Sequence, residues 1–101
     1  MDQKVCVKFE SASKLLSRRW IGLIVNQLLD GPKRFKDLEY EINISSKVLA
    51  DKLKELETHQ IIVRQVHPET PVRIEYELTQ MGKDLKPVMD AITDWSQKYY
   101  K

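Results

Sequence analysis

The sequence predicts an α+β domain that is mostly helical, with a helix-turn-helix, a two-stranded wing after it and a further helix at each end. Three observations support this prediction. Apolar residues recur every three or four positions in several stretches, which is typical of amphipathic helices. The period falls to two near residues 72–78, which is typical of a half-buried strand. The length of 101 residues suits a single domain, expected to span 1–101.

The first two helices are separated by a polar break. Helical spacing of apolar residues predicts a first helix over about 5–16, at Val5, Phe9, Ala12 and Leu16. The run Ser17-Arg18-Arg19 interrupts this pattern. A more apolar helix then begins near Trp20 and ends before Gly31-Pro32, a pair that stops helices.

Residues 34–59 are predicted to form two helices joined by a short turn. The first covers about 34–42 and places Phe35, Leu38 and Ile42 on one side. A serine in the following turn suits the N-cap of the next helix, because its side-chain oxygen can accept a hydrogen bond from the first turn. That helix runs from Ser46 to about His59, and the pair forms a helix-turn-helix unit.

A β-hairpin is predicted over about 61–78 and a long helix over about 79–100. Val72, Ile74, Tyr76 and Leu78 alternate with charged residues, and the polar connection 67–71 joins two strands. A hairpin directly after a helix-turn-helix makes the unit a winged helix. In the last helix we expect a bend at Pro87, because proline lacks the N–H that the helix needs.

Composition excludes several functional classes. The single cysteine, Cys6, excludes an intrachain disulfide and a multi-cysteine zinc site. The 3 glycines are too few for a glycine-rich phosphate-binding loop. No Ser/His/Asp or Cys/His arrangement occurs at a spacing typical of a catalytic site. We therefore expect neither an enzyme nor a cofactor. Because the sequence has no apolar run of about 18 residues and no apolar N-terminal stretch, we expect a cytoplasmic protein without a membrane partner.

The charge distribution favours a polyanion as partner. The net charge is only +2, but basic residues are clumped over 33–36 and 47–54. The helix 46–59 turns its leucines inward, which leaves small and charged residues on the other side. Such a helix fits a major groove about 12 Å wide. The sequence therefore predicts binding to double-stranded DNA, and the alternative for this helix surface is a merely solvated face.

The expected DNA contacts come from three elements. The start of the first motif helix should contact phosphates through Lys33, Arg34 and Lys36. The second motif helix and its cap should contribute Ser45, Ser46, Lys47, Ala50, Asp51 and Lys54. The wing adds Arg64 and Arg73, of which Arg73 is the preferred contact. Its alternative is an ion pair with Glu75 or Glu77, and the alternative for Asp51 is an ion pair with Lys47 or Lys54.

The terminal helices carry more apolar surface than one small domain covers. The residues concerned are Phe9, Leu16, Leu85, Val88, Met89, Ile92, Trp95 and Tyr99. We therefore expect a homodimer built on helices 5–16 and 79–100. Two copies would bind a palindromic operator, which compensates for the modest affinity of one module.

Several segments resemble the HxlR-type winged helix-turn-helix regulators, which are related to the MarR group. The matching segments are 31–35, 52–57 and 68–76, together with Leu78-Thr79 and Gly82, and Cys6 and Trp20 stand at that family's places. The runs 8–12 and 68–71 are most similar to the YodB-like branch, whose members are repressors that respond to quinones and other thiol-reactive compounds. The resemblance implies a repressor of transcription that senses such compounds.

Cys6 is the sensor that the resemblance implies. Its position just ahead of the first helix, between Lys4 and Lys8, favours the reactive thiolate. With no second cysteine, exchange between two different cysteines is impossible. Alkylation, a mixed disulfide with a small thiol, or a bridge to Cys6 of the partner subunit remain, and we favour the first two. The adduct would alter the spacing of the two recognition helices and release the DNA.

Two other functions stay open. A non-covalent small ligand could control the regulator from a dimer cleft lined by Trp20, Tyr40 or Trp95, with Cys6 structural. A winged helix can also serve as a protein-interaction module. An unreactive Cys6 would favour the first alternative, and the absence of salt-dependent binding to duplex DNA would favour the second.

Overall fold

Six helices and one β-hairpin follow each other along residues 5–101, the part of the chain that the computed structural model describes. They are α1 (Val7–Leu16), α2 (Ile21–Leu28), α3 (Phe35–Ile42), α4 (Ser46–Thr58), β1 (Ile62–His67), β2 (Arg73–Leu78), α5 (Gln80–Lys83) and α6 (Lys86–Tyr99). Lys4, expected to flank Cys6, lies outside the described residues. The mostly helical architecture with a two-stranded wing is confirmed.

The core lies between α2, the two helix-turn-helix helices and the base of the wing. Its buried residues are Ile21, Ile24, Val25, Leu28, Leu38, Ile44, Leu49, Leu53, Leu56, Ile61, Ile62, Leu78 and Met89. Burying three leucines of α4 contributes roughly 5–9 kcal/mol in transfer free energy. This burial fixes which face of α4 points inward, and therefore which face points to solvent.

The wing is an antiparallel hairpin that is attached to the start of the helix-turn-helix. Its register runs from Ile62 opposite Leu78 to His67 opposite Arg73. Lys33 extends this sheet as an isolated bridge, because its backbone N–H donates to Tyr76 O at 3.0 Å and its carbonyl accepts from Tyr76 N at 2.7 Å. The wing is thereby held at a set position beside α3.

The C-terminal segment differs from the predicted single bent helix. A short helix, α5, ends at Lys83, and α6 begins at Lys86 with Pro87 in its first turn. Proline is favoured there because the first backbone N–H groups of a helix have no partner within the helix. Pro87 therefore begins a helix, and the expected bend inside a continuous helix is wrong.

The terminal helices project from the body of the molecule. No residue of α1 is buried, and Met89 is the buried residue of α6. The radius of gyration is 15.3 Å, whereas a compact chain of this length would have about 13 Å. Among the described residues, no helix has the length and apolar character to cross a membrane.

Candidate nucleic-acid interface

The outward face of α4 carries an exposed strip of four residues: Lys47, Ala50, Asp51 and Lys54. They lie opposite the leucines that anchor α4 in the core, so the structure brings together the group that the sequence predicts. Ser45 is the N-cap, and its Oγ accepts a hydrogen bond from Val48 N at 3.3 Å. Among the described ion pairs, neither Lys47 nor Lys54 joins Asp51, which leaves all three side chains directed to solvent.

Ser46 has a protein partner that the sequence did not indicate. Its hydroxyl donates to Glu39 Oε2 and so links α3 to the first turn of α4. The oxygen of Ser46 keeps its capacity to accept a hydrogen bond, whereas its proton is already engaged. Glu39 belongs to the site for this reason. No local pattern could identify it, because it lies on the preceding helix.

The start of α3 presents two exposed cations, Arg34 and Lys36, as expected. Lys33 differs, because its amino group lies 3.1 Å from Glu41 and its side chain is only 18% exposed. Hydrogen bonds from Gln27 and Lys33 hold the pKa of Glu41 below its ordinary value of 4.5. Glu41 is therefore ionised at neutral pH and forms an ion pair with Lys33. The predicted phosphate contact of Lys33 would have to replace this pair.

In the wing, Arg73 forms ion pairs, which was the alternative to a DNA contact that the sequence left open. Its guanidinium lies 3.1 Å from Glu69 Oε1 and 3.6 Å from Glu75 Oε2. Glu75 also lies 3.0 Å from His67 Nε2, so the outer wing face holds a connected network of charges. Arg64 is exposed and belongs to none of the described ion pairs. Arg73 would have to exchange these carboxylates for a phosphate, so we expect Arg64 to be the stronger wing contact.

Most of the residues expected at a subunit interface are exposed in the single chain. Phe9 is 71% exposed, and one face of α6 exposes Val88, Ile92, Trp95 and Tyr99. Leu16 and Leu85 are half-buried against the core. Met89 is only 5% exposed, because it packs in the core of its own chain. Little of its surface is therefore left for the contact with a second subunit that the sequence predicted.

Cys6 is the N-cap of α1, and its side chain is exposed. The Sγ atom accepts a hydrogen bond from Phe9 N at 3.5 Å. A helix N-terminus attracts negative charge, because its first N–H groups lack partners within the helix. The sulfur is thus accessible to a reagent at the N-terminal end of α1.

The three aromatic residues of the alternative ligand cleft are located on different surfaces. Tyr40 is 88% exposed on α3. Trp20 is half-buried against the core with Arg19 stacked 4.4 Å from its ring centroid. Trp95 lines an open groove on α6 with Val88, Ile92 and their neighbours, and neither of the other two aromatic residues lines that groove. No group of three or more possible metal ligands occurs among residues 5–101.

Comparison with known proteins connects this geometry to a family. The HxlR-like helix-turn-helix family matches residues 15–101. The transcriptional regulator YodB of Bacillus subtilis is 48% identical over 100 residues, which cover 98% of this chain and 89% of YodB. The structure of reduced YodB from B. subtilis superimposes with a TM-score of 0.86 at 48% identity and covers 96% of both chains. For quinone-bound YodB from B. subtilis, the TM-score is 0.80 at 44% identity, with 94% and 100% covered.

Proposed function

The chain belongs to the HxlR-like helix-turn-helix family of transcriptional regulators, and on this premise we propose that it is a repressor released from its operator by modification of Cys6. Quinones and other electrophiles or oxidants are the modifying compounds. The observation that carries the DNA-binding part is the exposed strip of α4. Lys47 and Lys54 flank Asp51 on the face opposite the buried leucines.

The strip supplies both base recognition and phosphate binding. Lys47 can donate to guanine acceptors in the major groove, and Asp51 can accept from the amino group of cytosine. Lys54, Arg34 and Lys36 are suited to phosphates, because exposed cations attract the backbone without regard to sequence. Ala50 allows close approach between them.

A homodimer follows from the exposed apolar surface of the terminal helices. Phe9 on α1 and the α6 side chains Ile92, Trp95 and Tyr99 would leave water on contact with a second copy. The rings of Trp95 and Tyr99 lie 5.5 Å apart and form one continuous apolar surface. Two copies place two α4 helices in successive major grooves, about 34–36 Å apart on a palindromic operator.

Cys6 supplies the response because its sulfur is exposed at the end of α1. Its thiolate adds to a ring carbon of the quinone and forms a C–S bond. The electron pair of the C=C bond moves to the conjugated carbonyl oxygen, which takes the proton that the thiol gave up. The ring carbon that carries the sulfur then loses its hydrogen as a proton, the second carbonyl oxygen takes up a proton, and the adduct becomes a hydroquinone. The new ring lies beside exposed Phe9, at the terminal helices. It changes the spacing of the two α4 helices, and the dimer can no longer bind both half-sites.

The test is a fluorescence anisotropy titration of the upstream region of the protein's own gene. We expect tight binding that weakens as the salt concentration rises. Lys47→Ala and Lys54→Ala should bind more weakly. The variant that removes a phosphate contact should also lower the slope of log affinity against log salt concentration by about one. Lys83→Ala on α5 removes the same charge outside the interface and should bind like the wild type. Benzoquinone should add one adduct per chain in intact-protein mass spectrometry and release the DNA.

Two variants separate the parts of the proposal. Cys6→Ser should bind DNA normally and retain it after benzoquinone is added. Release by this variant would refute the role of Cys6 and leave the DNA-binding part intact. A wild-type protein with no salt-dependent affinity for duplex DNA would refute the DNA-binding part itself.

A further inference from the structure

We propose that Arg18 and Glu55 form the positioning contact that orients α4 relative to α1 and couples Cys6 to the DNA-binding surface. The inference rests on the proposed function and adds the route by which a change at α1 reaches the recognition helix. The two residues lie far apart along the chain and meet only in the folded molecule. Arg18 belongs to the turn between α1 and α2, and Glu55 lies on α4.

Both carboxylate oxygens of Glu55 are engaged. Glu55 Oε1 contacts Arg18 Nη1, and Oε2 lies 3.6 Å from Lys52 Nζ. Glu55 is largely buried, whereas Arg18 is half-exposed. Because Glu55 lies one residue before buried Leu56, its carboxylate is held close to the core side of α4. A displacement of this carboxylate therefore shifts α4 as a whole.

The backbone of Arg18 is tied to two helices. Its N–H donates to Leu15 O at 3.3 Å, which closes the last turn of α1. Its carbonyl accepts from Ile21 N at 3.2 Å, at the start of α2, and Ile21 is fully buried. The guanidinium therefore extends from a turn whose position depends on how α1 lies against the core.

Between α1 and α4 the structure leaves an open groove of about 250 Å³. Its lining residues are Ser11, Lys14, Leu15, Arg18, Glu55 and His59. The first eight residues of α1 are exposed, and only Leu15 and Leu16 at its C-terminal end pack against the core. A displacement of its N-terminal end therefore costs little packing. The Arg18–Glu55 pair spans this groove and joins the movable helix to the recognition helix.

Cys6 and Arg18 stand at opposite ends of α1. The helix has 10 residues and is about 15 Å long, so a tilt at its N-terminus is transmitted to its C-terminal end. An adduct on Cys6 that displaces α1 would separate the guanidinium from Glu55 and remove a restraint on α4. An ion pair at a partly exposed site changes an equilibrium constant by up to about 5-fold, so two pairs in a dimer account for up to about 25-fold.

The experiment measures the ratio of the DNA dissociation constants after and before treatment with benzoquinone. Arg18→Gln and Glu55→Gln should each lower this ratio several-fold, by up to about 25-fold, relative to wild type. The double variant should lower it no further than either single change, since both remove the same contact. The charge exchange Arg18→Glu with Glu55→Arg should restore much of the ratio. The matched control is Arg19→Gln, because Arg19 stacks on Trp20.

The ratio distinguishes coupling from simple electrostatics and from stability. The loss of a negative charge in Glu55→Gln would by itself tighten DNA binding equally before and after treatment, so this electrostatic effect cancels in the ratio and only the loss of the contact with Arg18 lowers it. If Arg18→Gln and Glu55→Gln lower the melting temperature but keep the wild-type ratio, the pair is only structural and the inference is wrong. If wild-type protein binds DNA and is not released by benzoquinone, the proposed sensing function fails and this inference fails with it.

Discussion

For single residues, the DNA surface depends on which cations have a carboxylate beside them. Lys33 is paired with Glu41, and Arg73 with Glu69 and Glu75. Arg64 takes part in none of the described ion pairs. A cation that is paired with a carboxylate gains little binding free energy from a phosphate, because the phosphate must replace the carboxylate. We therefore expect the positions of acidic residues to decide which basic residues contact DNA.

This argument predicts unequal losses from two wing variants. Arg64→Ala should raise the dissociation constant for operator DNA by about 5- to 10-fold and lower the salt slope by about one per chain. Arg73→Ala should raise it by less than about 2-fold. The measurement is an anisotropy titration at a series of salt concentrations. A larger loss for Arg73→Ala would show that the guanidinium exchanges its carboxylates for phosphate.

For secondary-structure elements, the junction between the wing and the C-terminal helices depends on close approach of backbones. Thr79 caps α5, because its Oγ1 accepts from Gly82 N at 3.2 Å and donates to Gln60 O at 2.6 Å. Gly82 is buried against Ile61, which directly precedes β1, and Leu78 at the end of β2. A Cβ atom there would overlap with the carbonyl oxygen of Ile61 and lie 2.9 Å from Leu78 Cδ2. The position therefore requires glycine for space.

Two Gly→Ala variants test this packing with opposite expected signs. Gly82→Ala should lower the free energy of unfolding by about 1–3 kcal/mol, since backbone atoms must move. Gly22→Ala on α2 is the control, because its Cβ would lie 3.9 Å from the nearest atom, Leu16 O. It should raise the stability by about 0.5–1 kcal/mol through the helix preference of alanine. Urea denaturation measures both, and equal stabilities would contradict the clash.

For the whole molecule, the elongated shape and the exposed apolar face of α6 have the same cause, which is that the terminal helices project from the core. One dimension reaches 57 Å and the shortest only 24 Å. We expect the projecting helices to pair with those of a second copy, because the core of the single chain is already filled by α2, the helix-turn-helix and the base of the wing. The dimer proposal depends on this surface.

A charge placed on that surface should separate the subunits. Ile92→Glu changes a side chain that is 55% exposed, and Met81→Glu on α5 changes one that is 56% exposed, outside the apolar face. A symmetric interface contains each change twice, so Ile92→Glu should raise the dimer dissociation constant by about 100-fold or more, and Met81→Glu should leave it unchanged. Sedimentation velocity measures this. A wild-type chain that stays monomeric at high concentration would refute the dimer.

The amino-acid sequence by itself determined the order of most elements of this protein and the inner face of α4, but not the division of the C-terminal segment into α5 and α6. Periodic leucines, capping serines and alternating strand residues act over a few positions, so they are visible without a fold. The tertiary structure decided which exposed groups are free. It pairs Ser46 with Glu39, Arg73 with Glu69 and Arg18 with Glu55, and it buries Met89 in the core. These outcomes depend on distances between elements, and no local pattern encodes a distance across the folded chain.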